Sequence, residues 1–162
     1  FAMMEEAFPK EEIRTYEGQL ALLENPYYWL KRKLDDQGRL IAFMAVWEFE
    51  DFCFVEHLAV SRQARGNGIG GQMMQEYIRQ SVHPVILEVE PPETDICKRR
   101  IAFYQRMGFQ LNDFEYQQPP MRKGHGWYPL MIMSFPGSLM KQEFEPMKRR
   151  IYREVYRVPE AK

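Results

Sequence analysis

The sequence is short of the features that mark several classes of protein. Its 162 residues include only two cysteines, Cys53 and Cys97, which are too few for a disulfide framework. No apolar run is long enough to span a bilayer, and the start lacks the regions of a signal peptide. We therefore expect a protein of a reducing compartment, cytoplasmic by default, without a membrane partner.

The sequence also has no excess of charge of one sign. Its 22 Lys and Arg residues are balanced by 23 Asp and Glu residues. A protein that binds nucleic acid or a membrane surface through charge would be strongly basic. We therefore expect no nucleic-acid partner.

The predicted elements describe one mixed α/β domain over residues 1–162. No repeat, low-complexity segment or long linker divides the chain, and its length suits a single core. We expect that core at about 9–136 and a basic helical extension at about 138–162. Apolar periodicity predicts helices at 4–8, 11–23, 69–80, 95–107 and 144–158. Apolar and aromatic runs predict strands at 28–33, 39–48, 52–60, 85–90, 109–116 and 127–135.

Four glycines occur within the six residues 66–71, directly before a predicted helix. Glycine lets backbone N–H groups converge on a phosphate, and a helix N-terminus adds attraction for an anion. A tight turn needs fewer glycines. A P-loop would end in Gly-Lys-Ser/Thr, whereas this stretch ends in Gly71-Gln72.

A dinucleotide site is the stronger alternative. Gly66, Gly68 and Gly71 satisfy G-x-G-x-x-G, and Glu88 or Glu90 lies at about the distance of a ribose-binding acid. In that motif, however, the strand runs directly into the first glycine and has parallel neighbours. Here the polar link 61–65 intervenes, and the preceding strands form an antiparallel meander.

Two motifs together favour another interpretation. Residues 63–68 match Q/R-x-x-G-x-G/A, the pyrophosphate signature of the GNAT N-acetyltransferases, and "RIAFYQRMGF" at 100–109 is similar to their second signature. The sequence therefore resembles the GNAT superfamily, of bacterial type, over roughly 40–135. The resemblance implies a central, mostly antiparallel mixed sheet that is splayed at the CoA site and flanked by helices, here with an extra C-terminal helix.

The resemblance also implies the cosubstrate and its site. GNAT enzymes use acetyl-CoA and no metal, and the amine attacks the acetyl group directly. The strand before the glycines would face the pantetheine arm and acetyl carbonyl through Leu58, Ala59 and Val60. The pyrophosphate would lie against Arg65, Gly66, Asn67, Gly68, Ile69 and Gly70.

Glu56 is the candidate general base. An alkyl amine is almost entirely protonated at pH 7, so a proton must leave before attack. Period-2 alternation puts Glu56 on the face of Leu58 and Val60, and burial there would raise its pKa toward the useful range. The alternatives are an exposed carboxylate and a partner for a nearby arginine. Alternation puts His57 on the opposite face beside Cys53, as a packed side chain rather than a metal ligand.

Tyr104 is the candidate general acid. It matches the family's tyrosine, whose hydroxyl points at the CoA sulfur and would protonate the departing thiolate. The alternative is an aromatic ring packed in the core. Cys97 and Arg100 stand where the family commonly has asparagine and alanine, so a side-chain contact to pantetheine is in doubt, and Arg99 or Arg100 could instead reach a CoA phosphate.

Two further questions stay open in the sequence. The family's first strand has no counterpart, so either the domain lacks that strand or another segment or chain fills the edge, and a homodimer is one outcome. The loop 121–127 either lines the acceptor pocket or is a solvated basic loop. We expect acetyl transfer to a primary amine of a small molecule. The alternatives are a protein lysine or N-terminus as acceptor, and a non-catalytic CoA-binding module.

Overall fold

The computed structural model describes residues 1–158, in which helices cover both faces of one seven-stranded sheet. The helices are α1 (Ala2–Ala7), α2 (Tyr16–Ala21), α3 (Ile69–Gln80), α4 (Asp95–Arg106) and α5 (Lys141–Glu154). The strands are β1 (Tyr28–Leu34), β2 (Leu40–Glu48), β3 (Cys53–Val60), β4 (Val85–Val89), β5 (Gln110–Leu111), β6 (Tyr116–Gln118) and β7 (Tyr128–Phe135). Short 3-10 turns occur at Lys10–Glu12, Leu22–Glu24 and Arg62–Ala64.

The sheet has the predicted mixed, mostly antiparallel character. Its order is β1-β2-β3-β4-β7-β5, with β6 also paired to β7, and only β3 and β4 are parallel. That parallel pairing covers three positions and ends at Val55↔Leu87, although both strands continue. The two strands therefore separate in the middle of the sheet, and the predicted fold class with its splay is confirmed.

Each face of the sheet carries its own apolar layer. Phe54 packs in a layer with Phe144 and Ile151 of α5, and we call this side the α5 face. Val55 packs in a layer with Met74 of α3 and Ile101 of α4, on the α3–α4 face. Neighbouring strand residues thus enter opposite layers, as the period of two requires.

Only part of the predicted helix at 11–23 forms. The chain is extended at Ile13, and α2 begins only after Thr15, whose side chain accepts a hydrogen bond from the Gly18 amide. Tyr16 and Leu20, expected on a buried helical face, are 52% and 46% exposed. The extended segment buries Ile13 and Arg14 instead, so tertiary contacts outweigh the local helical periodicity.

The closing hairpin is also more broken than predicted. The expected strand at 109–116 divides into β5 and β6, which both pair with β7. Between them the buried Asn112 side chain donates to the Ile132 carbonyl and the Ser134 hydroxyl and accepts from the Leu139 amide. These long-range side-chain bonds hold the segment between β5 and β6 beside β7. In addition, the Thr94 side chain caps α4 by accepting a hydrogen bond from the Cys97 amide, and α5 begins at Lys141 rather than at the predicted residue 144.

The sheet ends at β1, and within residues 1–158 no strand lies outside it. Within those residues no segment fills the place of the family's first strand, and Trp29 and Leu34 on β1 are exposed. Residues 159–162 of the predicted domain lie outside the described residues, so the domain limits stay a prediction. No helix within 1–158 is both long and apolar enough for a bilayer.

Candidate active site

A cavity of about 470 Å³ opens where β3 and β4 separate. Residues of β3 from Val55 to Val60 form one wall, and residues 87–90 form the other. Arg100 and Tyr104 of α4 line it on one side, whereas Glu12, Gln118 and Tyr156 line it on the other. The splay therefore makes a passage between the two faces of the sheet.

A β-bulge aims Glu56 into this passage. Val46 pairs with Val55 and Ala45 pairs with His57, so Glu56 is an extra residue with no partner on β2. Its carboxylate consequently contacts Trp47 on the α5 face, whereas Leu58 packs on the α3–α4 face. The expectation that Glu56 shares a face with Leu58 and Val60 is wrong, because a bulge breaks simple alternation.

The carboxylate of Glu56 is held by two donors. Arg14 Nη1 lies 2.7 Å from Glu56 Oε2, and Trp47 Nε1 donates to Glu56 Oε1 at 2.8 Å. Burial favours the neutral acid, but the charge of Arg14 and the hydrogen bonds from Trp47 and Arg14 outweigh it, so the pKa of Glu56 is lowered. The rise in the Glu56 pKa that the sequence predicted is therefore wrong. The alternative, an arginine that pairs with Glu56, is what the structure shows.

His57 lies on the same face as Glu56, not beside Cys53 as alternation predicted. Its ring packs against Phe8 with centroids 4.7 Å apart, and its Nε2 lies 2.8 Å from the Glu12 carbonyl. A carbonyl only accepts, so Nε2 carries the proton. Burial lowers the pKa of His57, which is therefore a neutral packing residue. No cluster of three potential metal ligands occurs within the described part of the chain.

Glu88 lies across the passage from Glu56, just past the last parallel pair on β4. The Tyr116 hydroxyl donates to its Oε2, and the Tyr156 hydroxyl donates to its Oε1 at 2.5 Å. Burial, opposed by these two hydrogen bonds and supported by repulsion from Glu56 and Glu12, raises the pKa of Glu88 to about 8. The sequence had suggested Glu88 only for the rejected dinucleotide site.

A second acidic pair lies farther along the cavity. Burial and repulsion from Glu90 raise the pKa of Glu12 to about 7. Arg100 approaches Glu90 at 3.5 Å, and the Cys97 thiol donates to Glu90 at 3.3 Å. Arg100 thus has a carboxylate partner in this structure, and Cys97 is a buried free thiol.

Tyr104 lines the cavity on the α3–α4 face. Its ring packs edge-on against Phe103 and Phe109, with centroids 5.1 and 5.7 Å away. Burial, opposed by the charge of Arg100, raises the pKa of Tyr104 to about 12, so its hydroxyl stays protonated at neutral pH. The Tyr104 ring therefore packs in the core, as the alternative interpretation predicted, and the same side chain also lines the cavity.

The glycine loop turns the chain from β3 into α3. Gly66 and Gly68 have φ of +88° and +71°, which L side chains rarely adopt, and Gly68 is the N-cap of α3. Arg65 Nε donates to the Val60 carbonyl at 3.1 Å, which holds its side chain beside the cavity wall. The loop therefore presents the amides of a helix N-terminus next to the splay.

The basic loop at 121–127 lies apart from the lining of the cavity. None of its residues is among the described residues that line the cavity. Arg122 instead donates to the carbonyls of Ile13 and Arg14. The loop therefore fixes the extended N-terminal segment against the domain.

Several site residues were missed from the sequence. Arg14 and Glu12 lie in the predicted helix at 11–23, and Tyr156 lies in the predicted helix at 144–158, so none of the three was a site candidate. Glu88 had a usable signal, because it is a single carboxylate in the apolar run "VILEV", just as Glu56 is in "CFVEHLAV". A carboxylate inside each of two neighbouring buried strands points to a shared site.

The comparisons with known proteins bear on the fold and the family. The protein YjbC of Bacillus subtilis (strain 168) is 34% identical over 116 residues, which are 68% of this chain and 56% of that protein. The chain thus matches just over half the length of that relative. A solved GNAT-family protein from Bacteroides thetaiotaomicron is 31% identical with a TM-score of 0.89, over 98% of this chain and 90% of that one.

A more distant structure shows the fold alone. The ribosomal-protein-S18-alanine N-acetyltransferase from Escherichia coli has a TM-score of 0.59 at 20% identity, over 84% of this chain and 83% of that one.

The family model described as "Acetyltransferase (GNAT) family" matches residues 2–109. The chain therefore belongs to the GNAT acetyltransferase family.

Proposed function

We propose that this protein transfers the acetyl group of acetyl-CoA to a primary amine of a small cationic molecule by direct attack. The observation that carries the proposal is the cavity at the splay of β3 and β4. It has Tyr104 on one side and the carboxyl groups of Glu12, Glu56 and Glu88 on the other. Family membership supports the acetyl transfer, and the carboxyl groups of the cavity support a cationic acceptor.

Acetyl-CoA would occupy the α3–α4 face of the splay. Beyond Val55, β3 has no partner on its β4 side, so backbone groups of Leu58, Ala59 and Val60 are available to the pantetheine arm. The pyrophosphate would lie against residues 65–70, where a helix N-terminus and Arg65 attract an anion. The acetyl group would then point through the passage toward Glu56.

Acidic groups would select the acceptor. Glu56 has a lowered pKa and is ionised at neutral pH, and each of its oxygens can accept a further hydrogen bond, from an ammonium group, beside those from Arg14 and Trp47. Glu6, Ala7, Phe8 and Glu12 of the N-terminal segment and Tyr156 line the cavity, whose volume of about 470 Å³ suits a small molecule. A cavity of this size with several carboxyl groups favours a small cationic amine over an extended peptide.

Tyr104 would donate the proton that the departing CoA thiolate takes. Its hydroxyl has no hydrogen-bond partner among residues 1–158 and is thus available to a ligand atom. The role of Glu56 as general base, acting directly or through water, stays a prediction. Its lowered pKa makes it a weaker base and suits it better to binding the ammonium group. A protein acceptor and a non-catalytic CoA module stay as alternatives. A cytoplasmic location and pairing of two copies along β1 stay predictions.

Calorimetric titration separates these possibilities in order. We expect acetyl-CoA to bind at physiological concentrations and NAD not to bind, because the loop follows a polar link rather than a strand end. Failure of acetyl-CoA to bind would refute both the enzyme and the CoA-binding module. Thiol release with an added amine then distinguishes transfer from binding alone.

A further inference from the structure

One carboxyl group that lines the cavity, that of Glu88, has no role of its own in the acetyl transfer proposed so far. Glu88 on β4 and Glu56 on β3 are the first residues beyond the last parallel pair, so they flank the point where the strands separate. Both line the cavity on the α5 face. Only Glu56 has a cationic partner, because no ion pair to Glu88 occurs within the described residues.

We propose that Glu88 is the catalytic residue that takes the proton from the acceptor ammonium, an inference that rests on the proposed acetyl transfer. Glu56 then serves to hold the cation in place. The two carboxylates thus divide binding and proton removal between the two walls of the same passage.

Two tyrosines from different parts of the chain orient the Glu88 carboxyl. Tyr116 belongs to β6 and Tyr156 follows α5, and each hydroxyl donates to a separate oxygen of the carboxyl group. Each carboxylate oxygen can accept more than one hydrogen bond, so both keep capacity for an ammonium N–H. The tyrosines therefore fix the direction of the carboxyl group without neutralising it by a cation.

The energetics favour Glu88 over Glu56 as proton acceptor. An alkyl ammonium has a pKa of about 10.4, so transfer to a carboxylate below the ordinary glutamate pKa of about 4.3 is unfavourable by more than about 10⁶-fold. Glu88 has a pKa of about 8 in the free protein. Transfer to it is unfavourable by only about 250-fold, which is the difference between about 10.4 and 8.

The groups around Glu88 determine its titration. They are Tyr116 and Tyr156, which favour the ionised form, and the carboxyl groups of Glu56 and Glu12, which oppose it. Because a base must be ionised to act, kcat/KM for the amine should rise with pH through about 8. The competing candidate is Glu12, whose pKa is about 7.

The proposed step conserves protons and electron pairs. A lone pair of the Glu88 carboxylate takes one proton of the ammonium, and the freed nitrogen lone pair attacks the thioester carbonyl carbon. The C–S bond then breaks with its electron pair on sulfur, which takes the Tyr104 proton. The nitrogen loses its second proton, which restores the Tyr104 hydroxyl through solvent, and Glu88 returns its proton to water.

The decisive experiment is the pH dependence of kcat/KM for one amine at saturating acetyl-CoA. Y156F removes a hydrogen bond that favours ionised Glu88, so the inflection should move to higher pH than in the wild type. Y152F is the matched control, because the Tyr152 hydroxyl donates to the Gln117 carbonyl instead. Its inflection should stay in place. An inflection that Y156F does not move would overturn the proposal.

Glu88→Gln tests the same role directly. We expect kcat to fall by about 10²–10⁴-fold, typical for loss of a general base, while acetyl-CoA still binds in the calorimeter. Full activity in this variant, or an inflection lost in Glu12→Gln but kept in Glu88→Gln, would overturn the role of Glu88. If the wild type releases no thiol with any amine, the proposed function itself fails, which is a separate result.

Discussion

At the scale of single residues, the site depends on how neighbouring charges are paired. Glu56 and Glu88 are the same residue type on adjacent strands, yet one has a lowered pKa and the other a raised one. Arg14 accounts for most of the difference. It reaches Glu56 from an extended segment and also donates to the Val155 carbonyl at 2.9 Å.

Arg14→Gln should therefore destabilise the protein strongly. Removing one partner of a buried pair leaves an uncompensated charge, which costs about 3–5 kcal/mol in unfolding free energy. Because the folded pKa of Glu56 is lowered, the pair contributes fully above the unfolded pKa of about 4.3 and is lost as pH falls through the folded pKa. Urea unfolding of wild type and variant should thus differ at pH 7 and converge in acid.

Arg39→Gln is the control for the Arg14 prediction. Arg39 pairs with Asp35 at 2.8 Å in an exposed turn, where solvent screens the interaction. We expect little change in the unfolding free energy at either pH. An equal loss in both variants would show that the burial of the Arg14–Glu56 pair has no particular importance.

Tyr104→Phe tests the proton donor. We expect kcat to fall by about 10²-fold, the lower end for general acid catalysis, because CoA thiolate is a fair leaving group without help. Acetyl-CoA affinity and unfolding free energy should change little, since the ring still packs between Phe103 and Phe109. Full turnover with chemistry rate-limiting would contradict the acid role.

At the scale of elements, a glycine loop, a bulge and a splay together build the passage. The loop was readable from the sequence, because glycine spacing before a helix has a direct backbone meaning. The bulge at Glu56 was not, because one extra residue in "CFVEHLAV" leaves no mark in the apolar pattern. That single residue shifted both Glu56 and His57 from their predicted faces.

Gly68→Ala tests the loop. Its φ of +71° is strained for alanine, at a cost of about 1–2 kcal/mol in unfolding free energy. A Cβ there meets no protein atom within 4 Å and would point into the space proposed for the pyrophosphate. We expect weaker acetyl-CoA binding by calorimetry in addition to the loss of stability.

Gly38→Ala is the matched control for the loop. Gly38 also has a positive φ, +77°, and open space around its Cβ position, but it lies in the turn between β1 and β2. It should lose similar stability and keep full acetyl-CoA affinity. If both variants weaken binding equally, the effect comes from strain and the proposed position of the pyrophosphate is wrong.

At the scale of the whole molecule, the C-terminal helix completes the site. The basic face and apolar stripe of 144–158 predicted a helix, and α5 confirms it. The position of the residues that follow α5, beside the cavity, could not be predicted, because it depends on hydrogen bonds from Arg14 to the Val155 carbonyl and from Tyr156 to Glu88. The sequence thus predicted the elements of the cofactor side, whereas the acceptor side arises from long-range contacts.

Phe144→Ala tests the packing of α5. Phe144 is 1% exposed and its ring stacks on Phe114 and meets Tyr116 edge-on. Truncation should cost about 3–5 kcal/mol in unfolding free energy, measured with urea. Arg149→Ala on the exposed side of the same helix should change it little. Equal effects would mean that α5 does not pack on the core.

The most direct test of the central claim is thiol release from acetyl-CoA across a panel of acceptors, with the acetylated product identified by mass spectrometry. The panel should contain small mono- and dicationic amines, a neutral amine analogue, and peptides with a free N-terminus or lysine. We predict release with small cationic amines, and its loss in Glu88→Gln. Release only with peptides, or none with any amine while acetyl-CoA still binds, would contradict the account.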